Sequence, residues 1–306
     1  MIYTITLNPA IDRLLYFDEK IEPKKTNRIT NVSYDIGGKG THASYTMTKL
    51  GVENTALGFM GSLNAEKFIR ILDSKGICSS FTLIDGHSTR ESYVAVDIKQ
   101  SSTTMMTEQG FTVSKKNINQ FMKQLKTSVE HGDIILIAGS LPVGFCLDDL
   151  KELINWLKNK GCFVACDLSG NALKTAVQIG VDFIKPNEFE VKELNEDNED
   201  LVPFLKRLNH SIPYIVTSLG KNGSYCVHEN KVYRGLPPRV EAVNDTGAGD
   251  CFTGAFLSGL SNQYSLVETL SLATACAASK VKHSDSSTFD LKDVQNLKKQ
   301  VQITEY

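Results

Sequence analysis

The chain has 306 residues, of which 41% are hydrophobic and 22% are charged, a composition typical of globular proteins. Its formal net charge of -2 provides no overall basic field that would indicate nucleic-acid or membrane-surface binding. The opening MIYTITLNPAIDR does not resemble a signal peptide, and no run reaches the roughly 18 apolar residues of a membrane-spanning helix. The seven cysteines are an odd and scattered set, which argues against a disulfide framework and favours the cytoplasm.

Predicted strands and helices alternate along the chain. Near the start these are strand Ile2–Leu7, strand-like Val32–Ile36 and helix Thr41–Leu50. From residue 134 onward, short apolar runs typical of strands buried on both faces alternate with helices that have one apolar face. The predicted order there is strand Ile134–Gly139, helix Asp149–Lys160, strand Cys162–Asp167, helix Gly170–Ile179, strand Val181–Ile184, helix Glu188–Leu194, strand Tyr214–Leu219 and a hairpin of Ser224–Val227 with Lys231–Arg234. This alternation predicts an α/β fold with a mainly parallel sheet and helices on both faces.

Two regions interrupt that alternation and are more polar and richer in β-forming residues. They are Leu14–Ser33 and Ser88–Thr107, and a predicted helix, Ala65–Lys75, lies between them. We expect them to meet as a small β-sheet, spanning approximately residues 12–35 and 88–108, which forms a lid on a single domain of residues 1–306. The alternative is an edge hairpin that has no functional motion.

The segment VNDTGAGDCFTGAF, residues 243–256, lies between the extended segment Arg239–Val243 and an apolar-faced helix. The turn Gly247–Gly249 leaves main-chain N–H groups free at a helix N-terminus, which predicts an anion site. Asp250 would repel a passively bound phosphate there, but it is well placed to take a proton from a hydroxyl that attacks one. The alternatives are that Asp250 only caps the helix and that Asp245 is only a turn residue.

A second glycine cluster, Gly37–Gly40, places three glycines around Lys39. The glycines allow backbone and ammonium to approach a polar ligand closely, although the cluster could also be a flexible turn. It is not a P-loop, because GxxxxGK[ST] is absent, and no GxGxxG follows the first strand. Asp12 follows that strand, where open α/β sheets bind ligands, and it is either a ligand for sugar hydroxyls or a turn residue.

Two later strand ends also carry polar residues. In Lys185–Glu190, KPNEFE, the side chains of Asn187 and Glu190 share one face of a helix start. They can hold Mg²⁺ through waters beside ATP phosphates, or they can form a helix-capping pair. The segment Ser218–Gly223, SLGKNG, suits a nucleotide phosphate or ribose, or it simply leads into the following hairpin.

Two arginines lie in the predicted lid. Arg28 and Arg90 can each pair with a substrate phosphate through a planar guanidinium, although a solvated side chain is the more common role for either taken alone. The six histidines show no metal-ligand spacing, and no Gly-x-Ser-x-Gly elbow is present. Zinc and serine-hydrolase chemistry are therefore not indicated.

The order of these motifs resembles the ribokinase-like (PfkB) carbohydrate kinase family over nearly all 306 residues. The motifs are TLNPAID, GGKG, TR at 89–90, GSLP at 139–142, KPNEFE, TSLGKNG and DTGAGD. The opening TLNPAIDR and the NR at 27–28 resemble its sugar-phosphate branch, which includes 1-phosphofructokinase and tagatose-6-phosphate kinase. The resemblance implies a three-layer sandwich with a mainly parallel central sheet and a β-sheet lid, ATP-dependent phosphorylation of a sugar hydroxyl, and a homodimer formed through the lid.

The resemblance also implies roles for individual residues. The implied catalytic residues are Asp250 as the base and Gly247, Ala248 and Gly249 as the anion hole. The implied sugar-phosphate site consists of Asp12, Gly38, Lys39, His42, Arg90, Ser140 and Arg28. The implied nucleotide site consists of Lys185, Asn187, Ser218, Gly220, Gly223 and Gly249. Glu190 and Asn187 are implied near Mg²⁺, and K⁺ is a further candidate ion.

Two residues depart from the family pattern. His42 stands where the family usually has asparagine in GGKGxN, and Asp245 stands where the sugar-phosphate branch often has no aspartate. The expected acceptor is a phosphorylated ketohexose, with fructose 1-phosphate first and tagatose 6-phosphate or fructose 6-phosphate next. The alternatives are a kinase of an unphosphorylated sugar or nucleoside and a non-catalytic sugar-phosphate-binding protein.

Overall fold

The computed structural model describes residues 1–97, 99 and 102–306. Its strands are β1 Ile2–Thr6, β2 Ala10–Phe17, β3 Asn31–Gly37, β4 Asn54–Gly61, β5 Ser79–Ile84, β6 Arg90–Asp97, β7 Ser102–Thr107, β8 Ile134–Ala138, β9 Phe163–Asp167, β10 Phe183–Ile184, β11 Tyr214–Ser218, β12 Ser224–His228, β13 Lys231–Leu236 and β14 Gln302–Glu305. Its α-helices are α1 Lys39–Lys49, α2 Ala65–Ser74, α3 Lys115–Ser128, α4 Leu147–Asn159, α5 Gly170–Ile179, α6 Glu188–Leu194, α7 Leu201–Asn209, α8 Ala248–Ser261, α9 Leu266–Lys280 and α10 Leu291–Lys298. The predicted helices Gly170–Ile179 and Glu188–Leu194 have these bounds, whereas the predicted extended segment Arg239–Val243 is not a strand.

A ten-stranded sheet forms the centre of the protein, in the order β14-β13-β12-β11-β10-β9-β8-β1-β4-β5. The strands from β11 to β5 are parallel, and β12 to β14 add an antiparallel edge. The parallel strands are continuous apolar runs because helices cover both of their faces. In β8, for example, Ile135 and Ile137 enter one core while Leu136 and Ala138 enter the other.

Each face of this sheet packs against its own layer of helices. Helices α3, α4, α5 and α7 bury their apolar faces on one side, and α1, α8, α9 and α10 bury theirs on the other. Helices α1 and α8 cross closely, since a Cβ added to Gly254 would lie 2.6 Å from the carbonyl oxygen of Ala43. The fold is therefore an α/β fold with a mainly parallel sheet, as the alternating elements predict, and it is the three-layer sandwich that the resemblance to the ribokinase-like family implies.

A second sheet of four strands, in the order β3-β2-β6-β7, stands apart from the large one. Strand β2 pairs antiparallel with β3 and parallel with β6, and β6 pairs antiparallel with β7. Leu14, Val94 and Val96 form its small buried cluster. The two polar regions of the sequence thus meet in one sheet, as expected; its movement as a lid stays a prediction.

The chain leaves β1 for β4 and β5 on one side, and later returns to build β8 to β11 on the other. Open α/β sheets bind ligands outside the carboxyl ends of the strands at such a switch point. That edge is therefore where functional side chains should gather. Among residues 1–97, 99 and 102–306, no helix has the length and apolar character needed to cross a membrane.

Candidate active site

Polar side chains gather at the carboxyl ends of five adjacent strands of the large sheet. They are Asn8 after β1, Ser140 after β8, Asp167 at the end of β9, Lys185 and Asn187 after β10, and Ser218 at the end of β11. The second sheet adds Asp12 from β2 and Arg90 from β6, and the N-termini of α1 and α8 complete the ring. Residues far apart in sequence thus form one cluster because parallel strands end at the same edge.

The turn at residues 244–250 is where the sequence predicts an anion site. Gly247 caps α8 with a φ of 77°, and a Cβ there would lie 2.0 Å from the carbonyl oxygen of Ser286, so only glycine fits. The N–H of Ala248 donates to the carbonyl of Asp245 at 3.1 Å, which closes the turn. In the described part of the chain the N–H groups of Gly247 and Gly249 have no acceptor. The N–H groups of Gly247 and Gly249 are therefore available to a ligand, whereas that of Ala248 is already bonded; the anion hole itself stays a prediction.

Asp250 is the third residue of α8, so it lies in the first turn of the helix rather than at its cap. Its Oδ2 lies 2.7 Å from Nδ1 of His42. The side chain of Asp245 is exposed, and only its main chain takes part in the turn. Of the two aspartates in this segment, Asp250 alone faces the cluster.

Below this turn lies Lys280, a completely buried lysine at the end of α9. Its ammonium donates to the carbonyl oxygens of Asn244 at 2.9 Å and Asp285 at 2.8 Å. Burial lowers the pKa of Lys280, although the negative charge of Asp285 opposes that shift. The side chain of Asn244 also donates to the carbonyls of Ser284 and Asp285. These bonds tie the turn to the 284–287 loop and hold its N–H groups in place.

Asp167 is the centre of a buried charge network. Its carboxylate accepts from Nζ of Lys39 at 2.7 Å and from the hydroxyl of Thr253 at 2.9 Å, and Nζ of Lys185 lies 3.1 Å away. Burial alone would raise the pKa of this carboxyl, but the charges of Lys185 and Lys39 hold it far below its usual range. Lys39 also faces the carboxylates of Glu190 and Asp250, so charges of both signs meet in this network. A Cβ on Gly249 would lie 3.3 Å from Nζ of Lys185, so this ammonium group is next to the turn.

Asn187 and Glu190 form a reciprocal cap at the start of α6. Oδ1 of Asn187 accepts from the N–H groups of Phe189 and Glu190, and Oε2 of Glu190 accepts from the N–H of Asn187. The capping pair that the spacing allows is therefore present. Oε1 of Glu190 faces Nζ of Lys39 at 3.8 Å. Glu190 thus has one carboxylate oxygen turned toward the cluster, while the amide oxygen of Asn187 is used by the cap.

Asp12 and His42 lie together on one side of the cluster, and both are buried. The GGKG glycines make room for them, since a Cβ on Gly37 would lie 2.3 Å from Oδ1 of Asp12. Gly38 caps α1 with a φ of 106° and begins the helix that carries Lys39 and His42. The ring of His42 lies between the carboxylates of Asp12 and Asp250.

Arg90, Ser140 and Asn8 form the neighbouring wall. The guanidinium of Arg90 donates to the carbonyls of Asn8 and Glu108 and approaches Oγ of Ser140 at 3.4 Å. The amide of Asn8 also donates to Oγ of Ser140, at 3.2 Å. Burial lowers the pKa of Arg90, against the charges of Asp12 and Glu108, but the guanidinium stays charged. Arg90 and Ser140 thus meet as expected.

The remaining predicted residues lie at the periphery. The N–H of Ser218 donates to the carbonyl of Pro186, and Gly220 is exposed with open space around its Cα. Gly223 packs against Gly235, where a Cβ would lie 2.0 Å from the carbonyl oxygen, so it serves the hairpin. Arg28 is exposed in the loop between β2 and β3, and the structure joins it to none of the other candidate residues.

Sequence reasoning missed Asp167 and Lys280. The available signal for Asp167 was a charged residue that ends the otherwise apolar run CFVACD, at the same edge of the sheet as the other strand ends. No comparable signal existed for Lys280, which lies on a helix whose burial depends on α8 and α10. Both residues act on groups that belong to other parts of the chain.

Several features of this arrangement suit phosphoryl transfer. Free N–H groups at a helix N-terminus and two ammonium groups can neutralise phosphate charge, and a carboxylate beside them can accept a proton. Within the described residues, no group of three or more His, Cys, Asp and Glu side chains is arranged to hold a metal ion. Mg²⁺ commonly binds through one or two carboxylates together with substrate phosphates, and the free oxygen of Glu190 fits that use.

Comparisons with known proteins agree with this chemistry. The model of the pfkB family of carbohydrate kinases matches residues 5–293. The chain is 28% identical over 312 residues to 1-phosphofructokinase of Bacillus subtilis (strain 168), with 99% of each chain covered. It is 26% identical over 313 residues to tagatose-6-phosphate kinase of Staphylococcus epidermidis, with 100% of each covered. A crystal structure of phosphofructokinase-2 from Escherichia coli in complex with substrates and products has a TM-score of 0.91 at 25% sequence identity, over 98% of both chains. A structure of that protein in complex with potassium has a TM-score of 0.90 at 24% sequence identity, also over 98% of both chains.

The family match spans almost the whole chain, and it includes both glycine clusters and every strand end described above. The anion-binding turn and the carboxylate beside it agree with the activity of such enzymes. The chain therefore belongs to the pfkB family of carbohydrate kinases and is an ATP-dependent sugar kinase.

Proposed function

We propose that this kinase transfers the γ-phosphoryl group of ATP to a hydroxyl of a ketohexose phosphate, and that fructose 1-phosphate, converted to fructose 1,6-bisphosphate, is the substrate. The observation that carries the proposal is Asp250, whose carboxylate lies in the first turn of α8 beside the free N–H groups of Gly247 and Gly249. The proton of the acceptor hydroxyl goes to Asp250, and the hydroxyl oxygen bonds to the γ-phosphorus. The bond from that phosphorus to the β–γ bridging oxygen breaks, and ADP leaves.

Charge stabilisation comes from groups that are already in place. The N–H groups of Gly247 and Gly249 and the ammonium groups of Lys39 and Lys185 can neutralise charge that develops on the transferred group. Their positions are held by Asp167 and by the helix start, so little reorganisation accompanies the reaction. Glu190 would hold Mg²⁺, which would supply further positive charge to this neutralisation.

The acceptor site supports a phosphorylated sugar. Asp12 can accept hydrogen bonds from sugar hydroxyls, and Arg90 is a partly buried guanidinium next to Ser140 that can pair with the sugar phosphate. The named relatives are a 1-phosphofructokinase and a tagatose-6-phosphate kinase, so both substrates belong to this proposal. Tagatose 6-phosphate and fructose 6-phosphate are the next candidates after fructose 1-phosphate.

The second sheet is proposed as a lid and as the surface of a homodimer. Support comes from its position, since it carries Asp12 and Arg90, and from exposed apolar side chains on it, including Val32, Met105 and Met106. K⁺ is proposed as an activating ion on the basis of the potassium complex of the Escherichia coli neighbour. Sedimentation would test the dimer, and replacing KCl by choline chloride in the assay would test the ion.

The decisive experiment is an ADP-release assay with a panel of sugar phosphates and free sugars. Asp250→Asn should lower kcat about 10²- to 10⁴-fold while ATP binding is retained, because proton acceptance is lost and the free N–H groups of the turn remain. Asp245→Asn is a matched control in the same turn and should keep kcat close to wild type, since that side chain is exposed. Near-normal turnover by Asp250→Asn would remove this residue from the mechanism. Absence of turnover by wild type on the whole panel would favour a non-catalytic binding protein.

A second comparison separates phosphorylated from free sugars. Arg90→Lys keeps the charge but loses the planar fork, so KM for sugar phosphates should rise about tenfold or more while KM for free sugars stays unchanged. Arg28→Ala tests the other arginine, and its exposure predicts little change in either constant. An unchanged KM for sugar phosphates in Arg90→Lys would favour a kinase of an unphosphorylated sugar or nucleoside.

A further inference from the structure

His42 occupies a position between the proposed catalytic base and the proposed sugar ligand. Its Nδ1 lies 2.7 Å from Oδ2 of Asp250, and its Nε2 lies 2.8 Å from the carbonyl oxygen of Ile36. Oδ2 of Asp12 lies 3.6 Å from the same Nε2. The ring is 5% exposed, so water does not compete for these contacts. One side chain therefore connects α1, β2, β3 and α8.

The hydrogen bonds indicate which protons the ring carries. A carbonyl oxygen can only accept, so Nε2 of His42 must be protonated to bond to Ile36. An ionised Asp250 can likewise only accept, so Nδ1 must also be protonated. A singly protonated ring would require a protonated Asp250, which cannot take a further proton from a substrate. The competent state thus pairs an imidazolium with the carboxylate base.

The charged groups around the ring agree with this assignment. Asp12 on β2 and Asp250 on α8 face the imidazole directly, while Lys39 on its own helix and Arg90 on β6 act on those carboxylates. Burial alone would lower the pKa of His42, but the two carboxylates raise it well above its usual value. Without a cation between them, the two carboxylates would repel each other.

We propose that His42 is a positioning residue for the base: it holds Oδ2 of Asp250, leaves Oδ1 for the acceptor hydroxyl, and connects the base to Asp12 in the sugar site. Oδ1 of Asp250 has no hydrogen-bond partner among the residues described. The inference rests on the proposed kinase function, in which Asp250 accepts the proton. It assigns a role to the residue by which this chain departs from GGKGxN.

The charge distinguishes His42 from the asparagine of the family pattern. Asparagine can donate from about the position of Nδ1 but carries no charge and does not reach Ile36. The imidazolium adds a charge-assisted hydrogen bond to the carboxylate, which holds its orientation more strongly than a neutral amide does.

Two neutral variants of His42 test its contact with Asp250 and its contact with Ile36 separately. His42→Asn keeps a donor for Asp250, and His42→Gln keeps a donor near Ile36 but loses the contact with Asp250. We expect His42→Asn to keep most of kcat and His42→Gln to lose kcat about 100-fold. KM for ATP should change little in either. A wild-type kcat in His42→Gln would overturn the inference.

The wild-type assay comes first, because inactivity on every sugar phosphate would defeat the proposed function rather than this inference. A second readout requires no turnover. In ¹⁵N-edited NMR spectra at neutral pH, both ring nitrogens of His42 should be protonated, with the signal assigned by its loss in His42→Asn. Asp250→Asn should move the titration of this ring to lower pH. A ring with one protonated nitrogen in the wild-type protein at neutral pH would refute the inference.

Discussion

Replacing Asp167 by asparagine removes the negative charge that two lysines share. The carboxylate lies 2.7 Å from Nζ of Lys39 and 3.1 Å from Nζ of Lys185, and Asp167 and Lys185 are almost completely buried. Removing one partner of a buried ion pair costs about 3–5 kcal/mol, because the other charge is left uncompensated. Lys39 is one-third exposed and is screened by water, so we expect the lower part of that range, about 3 kcal/mol.

The pH dependence gives this prediction a sign. The pKa of Asp167 is depressed in the folded state, so its stabilisation is fully present above the unfolded value of about 4 and is lost as pH falls toward the folded value. Urea unfolding should therefore show a constant difference between wild type and Asp167→Asn from pH 8 to about pH 5. The difference should narrow at lower pH, because only the wild type then takes up the proton.

Asp148→Asn is a suitable control, since this aspartate is exposed on α4 and pairs only with Lys151 at the surface. Its unfolding free energy should stay close to that of wild type at each pH. The reasoning about Asp167 is refuted if Asp167→Asn unfolds at the same urea concentration as wild type at pH 7. A difference that widens between pH 5 and pH 4 would refute it equally.

Two further substitutions test how the anion-binding turn is held. Gly247→Ala should destabilise the protein and abolish most kinase activity, because its Cβ would meet the carbonyl of Ser286. Gly86→Ala is the control, since this glycine also has a positive φ but has open space around it. In thermal unfolding and in the kinase assay it should show only the smaller cost of backbone strain. Lys280→Met leaves the carbonyls of Asn244 and Asp285 without their donor and should lower Tm and kcat together. Lys282→Met, just after α9 at the surface, should change neither. Calorimetry measures Tm, and ADP release measures kcat. Retained activity in Gly247→Ala, or a wild-type Tm in Lys280→Met, would contradict the described role of the 284–287 loop.

Local sequence patterns predicted most of the strands and helices, and they drew attention to the two glycine clusters. The period of apolar residues and the capping residues specify α5 and α6, so their predicted bounds agree with the structure. The spacing of Asn187 and Glu190 allows capping as well as metal binding, and a rule based on positions three apart cannot separate the two. The structure shows the cap, because the main-chain N–H groups of Asn187, Phe189 and Glu190 all have their partners in it.

Long-range pairings were beyond such patterns. Asp167 meets Lys39 and Lys185 only because β9 lies between β8 and β10 and because α1 begins above the same edge. His42 meets Asp250 only because α1 and α8 cross closely at Gly254. Sequence spacing contains no information about these distances, since each depends on the order of strands in the sheet and on the packing of two helices.

The proposed acceptor groups and the phosphate-binding groups belong to different sheets. Asp12 and Arg90 lie on the four-stranded sheet, whereas Asp167 and Lys185 lie at the ends of strands of the ten-stranded one. Under the proposed function, sugar preference can therefore change by substitution in one module while the transfer chemistry is kept in the other. His42 is a physical link between them, so an exchange of the smaller sheet between relatives should succeed only when residue 42 is exchanged with it.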